Sequence, residues 1–171
     1  MHVRSTNRKA TRIEVLIATL GNAPQVVTIT LDLLIQGRYD PRQVVVLHTD
    51  ESGGGMQESL ERLRMELAAP RYAHMQPPEF AVLRGPDGNP LSDLTLREHN
   101  GSAFRSIFDT LYAVKDAGDR VHLSAAGGRK AMAMYALLAA QLLFEEPRLG
   151  VEQDRLWVLW SKDTLLTSRA P

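Results

Sequence analysis

Three observations predict a Rossmann-like α/β fold. Short runs of branched apolar residues alternate with amphipathic helical segments along the chain. Strands joined through helices need crossover connections, and these impose parallel pairing. The length of 171 residues, with 44% apolar side chains, suits one domain around one full core. The expected architecture is three-layered: a mostly parallel sheet with helices on both faces and an antiparallel C-terminal edge strand.

Ile13 to Leu20 is a run of branched apolar residues closed by Gly21-Asn22, the pattern of a strand buried on both faces. A helix follows at once. Asn22 stands where it can accept from the first free amides, Pro24 where a missing N–H costs nothing, and Gly37 ends the segment. Val27, Leu31 and Leu34 share its inner face. Val44 to Leu47 is a second buried strand, and Gly53-Gly54-Gly55 forms a flexible loop before the next helix. That helix buries Leu60, Leu63 and Leu67, with Glu58 and Arg62 paired at four-residue spacing.

Pro77-Pro78 precedes a third strand, Phe80 to Leu83, after which Gly85 to Asn89 must turn. From Ala103 to Ala117, residues Phe104, Ile107, Phe108, Leu111 and Val114 fall on one helical stripe, which Gly118 closes. Val121 to Ser124 is the fourth strand. Ala125 to Arg129 is a small-residue loop that opens into a long apolar helix starting near Lys130, read as buried. Leu156 to Trp160 is the fifth strand, with Trp157 and Trp160 as packing residues, and Thr164 to Ser168 is expected to return as the antiparallel edge. Residues 1–12 carry Arg4, Arg8, Lys9 and Arg12 and no acid, and read as a flexible basic arm ahead of a single domain, 13–171.

Twenty basic and twenty acidic side chains cancel, which argues against a protein that wraps duplex nucleic acid or coats an acidic membrane. The absence of cysteine excludes thiolate nucleophiles, disulfides, iron–sulfur clusters and cysteine zinc sites, and fits a reducing compartment, so the cytoplasm is expected. The apolar stretch from Ala131 to Phe144 falls short of the ~20 residues a bilayer needs, and Val15 to Leu20 is too short for a secretory leader. The five histidines show no paired spacing on a helix face, and Glu145-Glu146 sit at a helix end; no metal or cofactor is expected.

In a doubly wound sheet, strand one lies between strands two and four, and ligands bind where the loops after strands one and four part. Those two loops are the unusual ones here: Thr19-Leu20-Gly21-Asn22-Ala23-Pro24-Gln25 and Ser124-Ala125-Ala126-Gly127-Gly128-Arg129-Lys130. Each has little bulk where backbone must approach a ligand, and each leads into a helix N-terminus, whose amides and dipole favour an anion. Arg129 and Lys130 oppose that dipole, at about 0.3–1 kcal/mol each when exposed, and a bound anion offsets the conflict. The alternative is that Gly127-Gly128 only lets the helix pack closely on the sheet, with both cations in solvent. The Walker A spacing is absent, and Gly21 lacks the further glycines of a dinucleotide turn.

His48-Thr49-Asp50 closes strand two at the same edge, where His48 either contacts a base or is a satisfied strand-end histidine. Arg42 and His48 have the arginine, five residues, histidine spacing of some ribonucleases, but here they flank a strand, whereas that site belongs to helical domains.

Ala18-Thr19-Leu20-Gly21 followed by Pro24-Gln25-Val26-Val27-Thr28, then Asp87-Gly88-Asn89-Pro90-Leu91-Ser92-Asp93 with Asn100, then Ser124 to Lys130, together resemble a CRISPR-associated Rossmann fold (CARF) protein. The likeness runs from about Ile13 to Trp160. It implies a homodimer that binds a cyclic oligoadenylate across its two-fold axis. A stand-alone member is similar to the ring nucleases, which linearise that messenger, with cyclic tetra-adenylate the expected ring; the alternative is a non-catalytic sensor that holds the ring and regulates a partner.

The same resemblance implies the roles. Lys130, Arg129 and Thr19 would be catalytic, with Thr19 and Asn22 beside ribose and phosphate and both cations on the phosphate backbone. Gly21, Gln25, His48, Thr49, Asp93, Asn100, Ser124, Ala126, Gly127 and Gly128 would complete the ligand pocket. The loops from Asp50 to Gln57 and Pro86 to Asn100 would line the base pockets. Metal-free cutting of an RNA ring needs the ribose 2′-hydroxyl in line with its phosphorus and the leaving 5′-oxygen, giving a 2′,3′-cyclic phosphate. Fixed donors must stabilise the charge that builds on the phosphoryl oxygens.

Overall fold

The computed structural model describes residues 12–50, 52, 54–94, 97–144 and 153–157. Among the described residues, five strands and four helices follow in the order β1 (Glu14–Thr19), α1 (Gln25–Gln36), β2 (Pro41–His48), α2 (Gly54–Leu67), β3 (Glu79–Val82), α3 (Arg97–Asp116), β4 (Arg120–Ser124), α4 (Lys130–Leu143) and β5 (Arg155–Trp157), with a 3-10 turn at Pro70–Tyr72. The sheet order is β3-β2-β1-β4-β5, and every pair is parallel. The fold is α/β and Rossmann-like, and β1 lies between β2 and β4 as a doubly wound sheet requires. The antiparallel edge expected at Thr164 to Ser168 and the basic arm up to residue 11 lie outside the described residues.

Alternation along β1 divides the core into two. Val15 and Ile17 point to the face covered by α3 and α4, where they pack with Ile107, Leu111, Met132 and Ala136. Leu16 and Ala18 point to the face of α1 and α2, against Val27, Leu31, Leu60 and Leu63. A strand buried on both faces has no polar side to show, which is why β1 and β2 read as continuous apolar runs, whereas β4 buries Arg120, His122 and Ser124 between its apolar residues.

Several boundaries differ from the sequence reading. α1 starts at Gln25 with Pro24 as its N-terminal cap and no side-chain cap, so Asn22 does not hold the helix amides as expected. β2 starts at Pro41, where the register against Glu14 is irregular, three residues before its apolar run. Gly54 and Gly55 belong to the first turn of α2 and not to a loop. α3 begins at Arg97, six residues ahead of its apolar stripe, which places Asn100 on a helix. α4, read as buried, is buried only on the side of Met132, Ala136, Ala139 and Ala140. Its apolar residues run round the whole helix, but the sheet covers one side, and Met134, Leu137, Leu138 and Leu142 are left exposed.

At the opposite end of the strands from the glycine loops, Glu14 gathers three donors. It accepts from Arg120 at 2.8 Å, from the Asp40 amide at 2.9 Å and from His122 Nε2 at 3.1 Å. Trp157 Nε1 donates to His122 Nδ1 at 3.2 Å. An indole can only donate, so the imidazole is neutral with its proton on Nε2. Tyr39 packs edge-on against the same ring, and the Arg155 guanidinium lies over Tyr39. Burial pushes the His122 pKa below its usual 6.5; Glu14 draws it back up, while Arg120 and Arg155 lower it further.

The unfolded chain therefore binds a proton that the folded chain refuses, from pH 6.5 down to the depressed native value, and stability falls as pH drops through that window. Urea unfolding at about pH 7.5 and about pH 5.5 is expected to give a lower midpoint at the acid pH. His122→Gln should shrink the difference; an undiminished difference in that variant would remove His122 as its source.

Candidate functional site: a cleft at the topological switch point

The two glycine loops meet backbone to backbone. Thr19 ends β1 fully buried, and its hydroxyl donates to the Gly127 carbonyl at 2.6 Å. A Cβ on Gly21 would lie 2.8 Å from the Gly128 nitrogen, and one on Gly127 would press on the Thr19 carbonyl oxygen. Gly128 has φ +82°, a left-handed conformation that glycine adopts without strain. Side chains at these positions would force the loops apart. The loops therefore lie as close as backbones can, and the N-terminus of α4 comes to rest beside the end of β1.

A cleft of about 600 Å³ opens at this point, lined by Leu20, Gly21 and Asn22 from the first loop and by Gly128 and Arg129 from the second. Its other wall comes from Thr49, Asp50 and Ser52 after β2, Gly55 and Met56 at the start of α2, and Ser92. Ser92 arrives there because the β3–α3 connection is laced to the sheet. The Leu91 amide donates to Leu83, the Asp50 amide donates to the Leu91 carbonyl at 2.7 Å, and Leu91 and Leu94 are buried. A bridge between Arg84 and Pro90 closes the turn through Gly85 to Asn89.

Of the residues expected at a ligand, Gly21, Asn22, Thr49, Gly128 and Arg129 line the cleft. Asn22 lies against the first turn of α2, its carboxamide oxygen 3.5 Å from the place a Gly55 Cβ would take. Arg129 caps α4 with extended backbone and no side-chain cap, and Lys130, the first residue of the helix, is exposed and makes no ion pair among the described residues. The first turn of α4 holds no acid. Two cations therefore stand on the positive end of a helix dipole, an arrangement that an anion relieves.

Other expected residues stand behind the cleft. Thr19 faces the second loop, and the Ser124 hydroxyl, also buried, lies 3.3 Å from that of Thr30. Thr19 therefore braces the second loop from behind the cleft, and Ser124 ties the end of β4 to α1. His48 is buried at the end of β2, with Nδ1 donating to the Thr49 carbonyl at 2.8 Å, so it is a satisfied strand-end histidine. Gln25 opens α1, Ala126 and Gly127 shape the second loop, and Asn100 lies in the first turn of α3. Asp93 reaches across to Arg129, with Oδ1 3.5 Å from Nη2. Sequence reasoning found both residues but not their pairing, because nothing local links positions 36 residues apart.

Among the described residues there is no group of three or more His, Cys, Asp or Glu side chains placed to hold a metal ion, and no helix long and apolar enough to cross a membrane.

The parallel order with its switch point between β1 and β4, and a cleft with uncapped helix amides and adjacent cations, define a Rossmann-like α/β protein with an open cleft at the carboxyl ends of its strands. The chain belongs to the family of CRISPR-associated protein NE0113, whose model it matches over residues 23–170. No curated protein matches it.

Proposed function

We propose that this protein is a ring nuclease: it binds a cyclic oligoadenylate, with cyclic tetra-adenylate the expected size, and opens it without a metal through attack of a ribose 2′-hydroxyl on the adjacent phosphorus. The observation that carries this reading is the meeting of the two glycine loops at the switch point, with Arg129 and Lys130 on the uncapped end of α4. Membership of a CRISPR-associated family and the three-part likeness to CARF proteins support it.

In this reading the Gly127 to Lys130 segment receives a phosphate, and backbone amides with Lys130 and Arg129 stabilise the charge that grows on its oxygens. Thr19 acts through the loop by holding the Gly127 carbonyl. The wall of Asn22, Ser52, Met56 and Ser92 supplies mixed polar and apolar contacts for a base. The ring sits across the axis of a homodimer. The exposed side of α4 fits an interface, since Met134, Leu137, Leu138 and Leu142 present no charge to solvent. An axis running along α4 would bring both copies of Lys130 to the same end of the assembly.

One observation favours a second reading, a sensor that holds the ring intact for a partner. Among the described residues no histidine lines the cleft, and His48 is buried with its Nδ1 committed to Thr49. Incubation of the assembled protein with labelled cyclic tetra-adenylate in EDTA separates the two. Linear product ending in a 2′,3′-cyclic phosphate is the expected result; tight retention of intact ring supports the sensor, and no capture of rings of any size removes both.

A further inference from the structure

We propose that Asp93 is an internal competitor for the anion site: its carboxylate occupies Arg129 in the empty protein and must yield it to an incoming phosphate. The inference rests on the reading of the cleft as a phosphate site and deepens it, because it reverses the sign expected of Asp93 as a residue that holds the ligand.

The geometry has three parts. Asp93 Oδ1 lies 3.5 Å from Arg129 Nη2, joining the β3–α3 connection to the start of α4, with the side chains 39% and 59% exposed. An ion pair this long and this open to solvent contributes little, whereas a phosphate on a guanidinium makes shorter, charge-assisted and often paired hydrogen bonds. A phosphate can therefore displace the carboxylate.

The displaced carboxylate does not leave. Its Oδ1 accepts from the Leu94 amide at 2.7 Å, the Asp93 carbonyl accepts from His99 Nδ1 at 3.1 Å, and Leu91 and Leu94 are sunk in the core on either side. A fixed negative charge thus remains beside the bound phosphate. It weakens the complex and stands ready to recapture Arg129 when the ligand departs, which speeds dissociation.

A double-mutant cycle over Asp93→Asn and Arg129→Gln tests this with cyclic tetra-adenylate as the probe. Asparagine keeps the oxygen that accepts from Leu94 and removes only the charge, and a thermal midpoint recorded for each variant reports its fold. Asp93→Asn is expected to bind about two- to fivefold more tightly at low salt, chiefly through slower dissociation, with the gain shrinking in high salt and vanishing in the Arg129→Gln background. Unchanged or weaker binding by a folded Asp93→Asn protein, beside a wild type that binds, overturns the competitor role and leaves the phosphate site standing. Asp93→Ala, which also loses the Leu94 acceptor, serves if the asparagine variant is unstable. Absence of binding by the wild type and every variant overturns the site reading together with the inference.

Discussion

Replacing Lys130 with alanine is expected to slow ring opening by roughly 10²–10³, the effect of removing one fixed donor to a developing phosphoryl charge, or about 2.7–4 kcal/mol of barrier. Thermal stability should stay level or rise. Lys130 is exposed at the first position of α4, makes no ion pair among the described residues, and faces the positive end of the helix dipole, so its own contribution to folding is unfavourable by about 0.3–1 kcal/mol. Ring affinity should fall far less than rate, because Arg129 and the backbone amides remain. Single-turnover cleavage, equilibrium binding and a melting curve on one preparation separate these three quantities. Cleavage at the wild-type rate by the variant would take the reaction away from this end of α4.

The second large effect concerns the fold that makes the cleft. Gly127→Ala is expected to destabilise the protein by about 1–3 kcal/mol, seen as a fall of roughly 2–12 °C in melting temperature. The added methyl would press on the Thr19 carbonyl oxygen, and neither backbone can give way without breaking the bond from the Thr19 hydroxyl to the Gly127 carbonyl. Ligand binding should fail with it, since α4 would be levered away from β1. Gly101→Ala is the control: that glycine lies in α3 with nothing within 4 Å of its missing Cβ, and alanine there is expected to raise stability by up to about 1 kcal/mol. Equal stabilities for the two variants would mean that the loops have room to part.

Much of this protein is written locally. The β1 run from Val15 to Thr19 has no polar face, so it had to be a central strand; the stripe through Ile107 and Leu111 had to turn inward; and the small residues from Ala125 to Gly128 marked a close backbone approach before any partner was known. These features follow from side-chain periodicity and the steric emptiness of glycine, both of which act within a few residues. Where the first turn of a helix carries no apolar pattern, as at Arg97 to Gly101, the same logic placed the boundary too late.

The sequence by itself determined the alternation of strands and helices, their inward faces, and the two small-residue loops that follow β1 and β4. Tertiary structure decided which backbone each glycine presses against, that Thr19 braces the Gly127 carbonyl from behind, that half of α4 faces outward, and that Asp93 takes Arg129. The reason is one of range. Periodicity records how each segment meets an averaged apolar or aqueous surrounding, whereas contacts between positions 36 or 108 residues apart exist only once the crossovers have closed the sheet.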